Sequence, residues 1–131
     1  MRSCRRGTRL ILIELLSAPS LKLEDGVWTL VFCYCEAFDR PRSFRDLIRD
    51  LCGILNKERV VHLSLPTEED GEDFVEGSLS WGPAAYDVYF EYSLGYLQLS
   101  SASEQAIREM AGALKAHLIW ASDSMTGHGP A

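Results

Sequence analysis

A chain of 131 residues, 47% hydrophobic and 24% charged, is long enough to bury a core without disulfide staples, and this composition argues against a disordered or membrane-embedded protein. The net charge of -6 is unevenly placed: residues 1–59 hold eleven Lys/Arg against eight Asp/Glu, whereas residues 60–131 hold two against eleven. An acidic half of this kind repels phosphate backbones and speeds encounters with basic surfaces, so the expected partner is a basic protein, with no nucleic acid and no membrane.

At the N-terminus, Arg2, Arg5, Arg6 and Arg9 precede the apolar run Leu10 to Leu16, an outline shared with signal peptides. Glu14 interrupts the run and no small-x-small cleavage site follows, so residues 1–9 read as an uncleaved, disordered basic leader. No run approaches the roughly 20 apolar residues of a membrane helix. Cys4, Cys33, Cys35 and Cys52 show no disulfide-scaffold spacing, which fits reduced thiols and a cytoplasmic location. Leu10 to Leu16 suits a short helix or an edge strand equally, and Pro19 ends it either way.

From there the chain predicts one domain over residues 10–121. Leu21–Glu24 and Val27–Glu36 flank Asp25-Gly26, a dipeptide suited to a type I′ hairpin turn. The second of these strands is apolar on both faces, which predicts a central position in a sheet. After a turn at Asp39–Arg42, Ser43 with Asp46 opens a helix whose stripe is Phe44, Leu47, Ile48, Leu51, Ile54 and Leu55. Arg45, Asp46, Arg49, Asp50 and Lys57 read as its solvated side. Val60–Leu65 is a strand closed by Pro66. The stretch that follows crowds Glu68, Glu69, Asp70, Glu72 and Asp73 around Gly71 and reads as an exposed, mobile loop.

Phe74–Ser100 then reads as a three-stranded meander with turns at Gly82-Pro83 and Ser93-Leu94-Gly95. Alternation with period two assigns Val75, Leu79, Trp81, Tyr86, Val88, Phe90, Leu97 and Leu99 to an inner face. It assigns Glu76, Ser78, Ser80, Asp87, Tyr89, Glu91, Tyr96 and Gln98 to a solvated one. Ser101–Glu104 offers a capping box for a last helix packed through Ile107, Met110, Ala111, Leu114 and Leu118, with Trp120 and Ala121 near its end, and residues 122–131 read as a disordered tail. The predicted fold is α+β: a largely antiparallel sheet of five or six strands with two helices on one face.

The chemistry-bearing residues assemble no known motif. Cys33 and Cys35 share one side of a strand, but the Cys-x-x-Cys and His-x-x-x-His pairs of zinc sites are absent, and the acidic loop lacks the calcium-binding order of an EF-hand. Glycine-rich phosphate loops and Gly-x-Ser-x-Gly elbows are absent too. The expectation is no metal, no cofactor and no catalytic site. A thiol or acid-base hydrolase using Cys35, His62 or Asp87 is the enzyme alternative. The favoured site is a partner-binding surface: Glu68, Glu69, Asp70, Glu72, Asp73 and Glu76 as a negative rim, Asp87 and Glu91 beside it, and Tyr89 and Tyr96 as aromatic anchors.

The segment DVYFEYSLGYLQLSS followed by a capped helix, together with the cluster EEDGED, resembles the small acidic immunity proteins with which bacteria neutralise toxin domains. The resemblance implies a cytoplasmic inhibitor, monomeric or homodimeric, that binds one cognate toxin by plugging its active site or blocking an adjacent surface. A second binding alternative is an acidic secretion chaperone for an effector, which implies a stable homodimer and an apolar groove.

Overall fold

The computed structural model describes residues 11–34 and 44–120. Among them the strands are β1 (Ile13–Leu15), β2 (Ser20–Glu24), β3 (Val27–Cys33), β4 (Val61–Ser64), β5 (Phe74–Trp81), β6 (Ala84–Glu91), β7 (Tyr96–Ser101) and β8 (Leu118–Trp120). The helices are α1 (Phe44–Leu55) and α2 (Glu104–Leu114). Six strands form an antiparallel sheet in the order β2-β3-β7-β6-β5-β4, and β1 pairs with β8 in a separate parallel ribbon. The fold is α+β, as the pattern predicts. The basic leader 1–9, the tail 122–131, the turn at Asp39–Arg42, the cap Ser43, Cys4 and Cys35 lie outside the described residues.

The meander holds its expected register. Val75 stands opposite Phe90 and Phe90 opposite Leu97, while Leu79 faces Tyr86 and Val88 faces Leu99. All eight residues assigned to the inner face are buried. Each fully buried large apolar side chain of this kind contributes about 1.5–3 kcal/mol. The same face receives both helices. Phe44 of α1 stacks on Phe90 at 4.5 Å, the indole of Trp81 donates to the Leu55 carbonyl (2.8 Å), and the Tyr86 hydroxyl donates to the Ala106 carbonyl of α2 (2.9 Å). Arg59 lies over the Trp81 ring at 4.2 Å and pairs with Glu109 (3.2 Å), which clips the end of α1 to α2.

One turn and one close approach depend on glycine. In the β2–β3 hairpin, Asp25 (φ 51°) and Gly26 (φ 78°) take the left-handed conformations of a type I′ turn. On β5, a Cβ at Gly77 would run into the Ser64 carbonyl and the Leu65 side chain, because the chain leaving β4 folds across that point of the inner face.

Several expectations need correction. Within the run Leu10 to Leu16, open between helix and strand, the described part forms a strand over Ile13–Leu15, with Ile13 and Leu15 buried and Glu14 outward between them. The last helix ends at Leu114, not near Trp120 and Ala121. A 3-10 turn, Lys115–His117, follows, and Leu118 begins β8. Leu118 is buried in the strand as it would be in a helix, so its spacing did not separate the two, and the β-favouring Ile119-Trp120 pair then finds β1. His117 Nδ1 donates to the Ile11 carbonyl (2.7 Å), tying this corner together. The predicted capping box of Ser101 with Glu104 does not form, because Ser103 is the cap and Glu104 the first helical residue. Ser103 Oγ accepts the Ala106 amide (3.1 Å), but the third helical position is Ala106, so Ser101 Oγ takes the Ser103 amide instead (3.0 Å). Finally, β3 is not central but second from an edge.

The two glycine environments make opposite forecasts. Gly77→Ala should destabilise the protein by about 1–3 kcal/mol, because backbone must move to admit the methyl group. Gly112→Ala, inside α2 where a Cβ meets nothing within 4 Å, should stabilise it by about 1 kcal/mol. Urea denaturation of both variants checks the pair.

Candidate protein-binding interface

The outer sheet face is built by the pleat that buries the inner one. Across it, Phe74, Glu91, Tyr96 and Cys33 form one cross-strand row, and Glu76, Tyr89, Gln98 and Val31 the next. A third row runs through Ser64, Ser78, Asp87, Ser100, Thr29 and Lys22. Glu76 and Asp87 are exposed, as is Tyr96, whereas Tyr89 and Glu91 are half-buried. These five predicted residues therefore share one surface. Glu91 accepts from Ser93 Oγ (2.7 Å) and from the Tyr89 hydroxyl (2.8 Å). Those two bonds, Ser93 first, hold its carboxyl below the usual range, and the bond to Glu91 raises the Tyr89 phenol. The Tyr89 ring is thus fixed before any partner arrives.

Phe74 belongs to this surface and was missed. It is 53% exposed and stacks on Tyr89 at 6.0 Å. Its signal was present, since it precedes Glu76 by two residues on one strand. With Tyr96 and the exposed Leu94 of the β6–β7 turn, it makes an aromatic and apolar corner.

The acidic loop reaches the sheet at this corner, and its carboxylates divide. Glu68, Glu69, Asp70 and Asp73 are exposed. Glu72 is turned inward, contrary to a wholly exposed loop, with 13% of its side chain exposed against 14% for Arg45. Arg45 donates through Nη2 to Glu72 Oε1 (3.1 Å) and through Nε to Oε2 (3.3 Å), and its Nη1 donates to the Pro66 carbonyl (2.9 Å). The Tyr92 hydroxyl completes the carboxylate at Oε2 (3.0 Å), and the Tyr92 amide donates to the Asp73 carbonyl (3.0 Å). Arg45 is therefore no part of a solvated helix side. A loop carboxylate supplies what a bare helix surface would leave to water. Burial alone would raise the Glu72 carboxyl, but the bonds from Arg45, Tyr92 and the Glu69 amide outweigh it and leave it lowered, while the bond to Glu72 raises Arg45.

Of the enzyme alternative's residues, the two that are described, His62 and Asp87, lie on strands that do not adjoin. His62 is exposed on β4 opposite Ser80, and Asp87 is exposed on β6 opposite Ser78, with β5 between them. That separates their strands by about 9–10 Å. Glu76 faces Tyr89, so Asp87 and Glu91 stand diagonal to it on either side. Burial pushes the Cys52 thiol up to about 11. No three His, Cys, Asp or Glu side chains among the described residues are grouped to hold a metal ion, and no helix among them is long and apolar enough to cross a membrane. Compared with known proteins, the chain matches no family model, no curated protein and no solved structure.

The tether yields a pH forecast. A carboxyl whose pKa is lowered by folding stabilises the fold above its unfolded value, near 4.5, and that contribution is lost as pH falls through the lowered value. Glu72→Gln should therefore destabilise the protein by about 1–3 kcal/mol at pH 7. Denaturant titrations of wild type and variant should converge as the pH drops well below 4.5.

Proposed function

We propose that this protein is a binding inhibitor of the immunity type, which captures a basic cognate toxin domain on its outer sheet face. The observation that carries the reading is the gathering of Phe74, Tyr89 and Tyr96 with Glu76, Asp87 and Glu91 on one surface, bordered by the exposed Glu68, Glu69, Asp70 and Asp73. Aromatic rings provide rigid contact area, and surrounding carboxylates steer a cationic partner and reject acidic ones. Glu72 drops out of the contact set because its carboxylate is engaged by Arg45 and Tyr92. Steering of this kind accelerates association without requiring a pocket or a reacting group.

One observation favours the secretion-chaperone alternative. An apolar hollow of about 340 Å³ opens between the β2–β3 hairpin and the end of α2, lined by Leu21, Leu30, Phe32, Ala111, Leu118 and Trp120. It suits an unfolded apolar segment. The two readings part on the state of the partner, folded for an inhibitor and extended for a chaperone.

The immunity reading expects an adjacent gene for a secreted protein that ends in a basic toxin domain. That purified domain should bind wild-type protein with an affinity that falls steeply between 50 and 300 mM salt on the order of tenfold or more. Reversing Glu68, Glu69, Asp70 and Asp73 together should cut the association rate about tenfold or more, with the unfolding transition unchanged. Calorimetry and stopped-flow mixing measure both. Salt-insensitive binding, or an unchanged rate, would remove the steering role.

A further inference from the structure

The strand β2 forms one edge of the six-stranded sheet, and among the described residues it pairs only with β3. The two-residue turn makes Glu24 and Val27 a hydrogen-bonded pair, because residues flanking such a turn exchange both bonds. Alternation then directs the backbone amides and carbonyls of Ser20, Lys22 and Glu24 toward β3, and those of Leu21 and Leu23 away from it. Among the described residues the backbone donors and acceptors of Leu21 and Leu23 are therefore left without a strand partner, and the Leu23 side chain beside them is 54% exposed. The opposite edge is different: β4 has four residues, and Pro66 follows two positions later without an N–H to extend a ladder.

We infer that β2 pairs antiparallel with β2 of a second copy of this chain, across a two-fold axis at Leu23, to join two sheets edge to edge. Charge selects this register. With the axis at Leu23, Leu23 meets its own copy in a hydrogen-bonded pair, and Lys22 of each chain stands opposite Glu24 of the other, twice. Those positions are non-hydrogen-bonded, where Cα atoms come to about 4.5 Å and side chains are closest. Moving the axis one residue, to Lys22, would set the two Lys22 ammonium groups against each other. Only the first arrangement turns the edge's charges into ion pairs, and a two-fold axis repeats each contact. The outer face of β5–β7 stays free, so the dimer is compatible with either reading of function.

Sedimentation velocity of the full-length chain, with reductant to exclude disulfide-linked species, tests this from 1 to about 300 µM, a range that brackets weak edge pairing. Wild type should pass from monomer to dimer. Glu24→Lys should weaken the dimer about tenfold by setting Lys22 against a new cation in both pairs, and the charge swap Lys22→Glu with Glu24→Lys should restore it. Both variants carry only exposed changes on an edge strand, and circular dichroism checks that they share the wild-type fold. A monomer throughout overturns the proposal and assigns Lys22 and Glu24 to blunting the edge against pairing. A dimer indifferent to Glu24→Lys, or one the swap fails to restore, overturns it as well.

Discussion

The constraint on which the structure depends is the pleat of β5, β6 and β7. Successive side chains on a strand must alternate, and the inner partners Val75, Phe90 and Leu97, or Val88 and Leu99, are buried under two helices. A slip of one residue would bring Asp87, Tyr89 and Glu91 into that core, a cost far above the stability of a domain this size. The apolar side of the meander therefore determines what its other side presents. The surface proposed to meet a partner is the complement of the core.

A second dependence links that surface to the acidic loop. Five carboxylates within six residues repel one another, and an unattached loop would spread them into solvent. Arg45, Glu72 and Tyr92 fasten the loop at one point, with Tyr92 also stacked edge-on to Phe90 at 5.0 Å. Glu72 is thereby joined to the aromatic ladder of Phe44, Phe90 and Tyr92 under α1. The remaining carboxylates then border the corner where Phe74 and Tyr96 are exposed, so in the proposed function long-range attraction and short-range contact would converge on one end of the sheet.

The parts of this arrangement that were legible in the sequence are those governed by local period. The stripe from Phe44 to Leu55 and the two faces of the meander follow from spacings of 3.6 and 2, and the Asp25-Gly26 turn from backbone sterics. Arg45 was not legible. Its position relative to Arg49 is the same whether the side chain meets water or a carboxylate 27 residues away. The β1–β8 ribbon was hidden for a similar reason, since three-residue strands carry almost no period and their pairing spans the chain. Glu72 was grouped with its neighbours because composition describes a cluster and cannot say which member turns inward. Phe74 was overlooked at a loop boundary, although the rule that placed Glu76 applied to it equally.

The proposal that one strand serves two purposes through its two faces can be tested by single alanine replacements along β6, from Tyr86 to Glu91, with unfolding free energy and affinity for the proposed basic partner domain measured on each. The account predicts losses in antiphase: stability falls by about 2–5 kcal/mol at Tyr86, Val88 and Phe90, while affinity falls at Asp87, Tyr89 and Glu91 with stability nearly intact. Affinity losses confined to the inner residues, or none at the outer three, would contradict it.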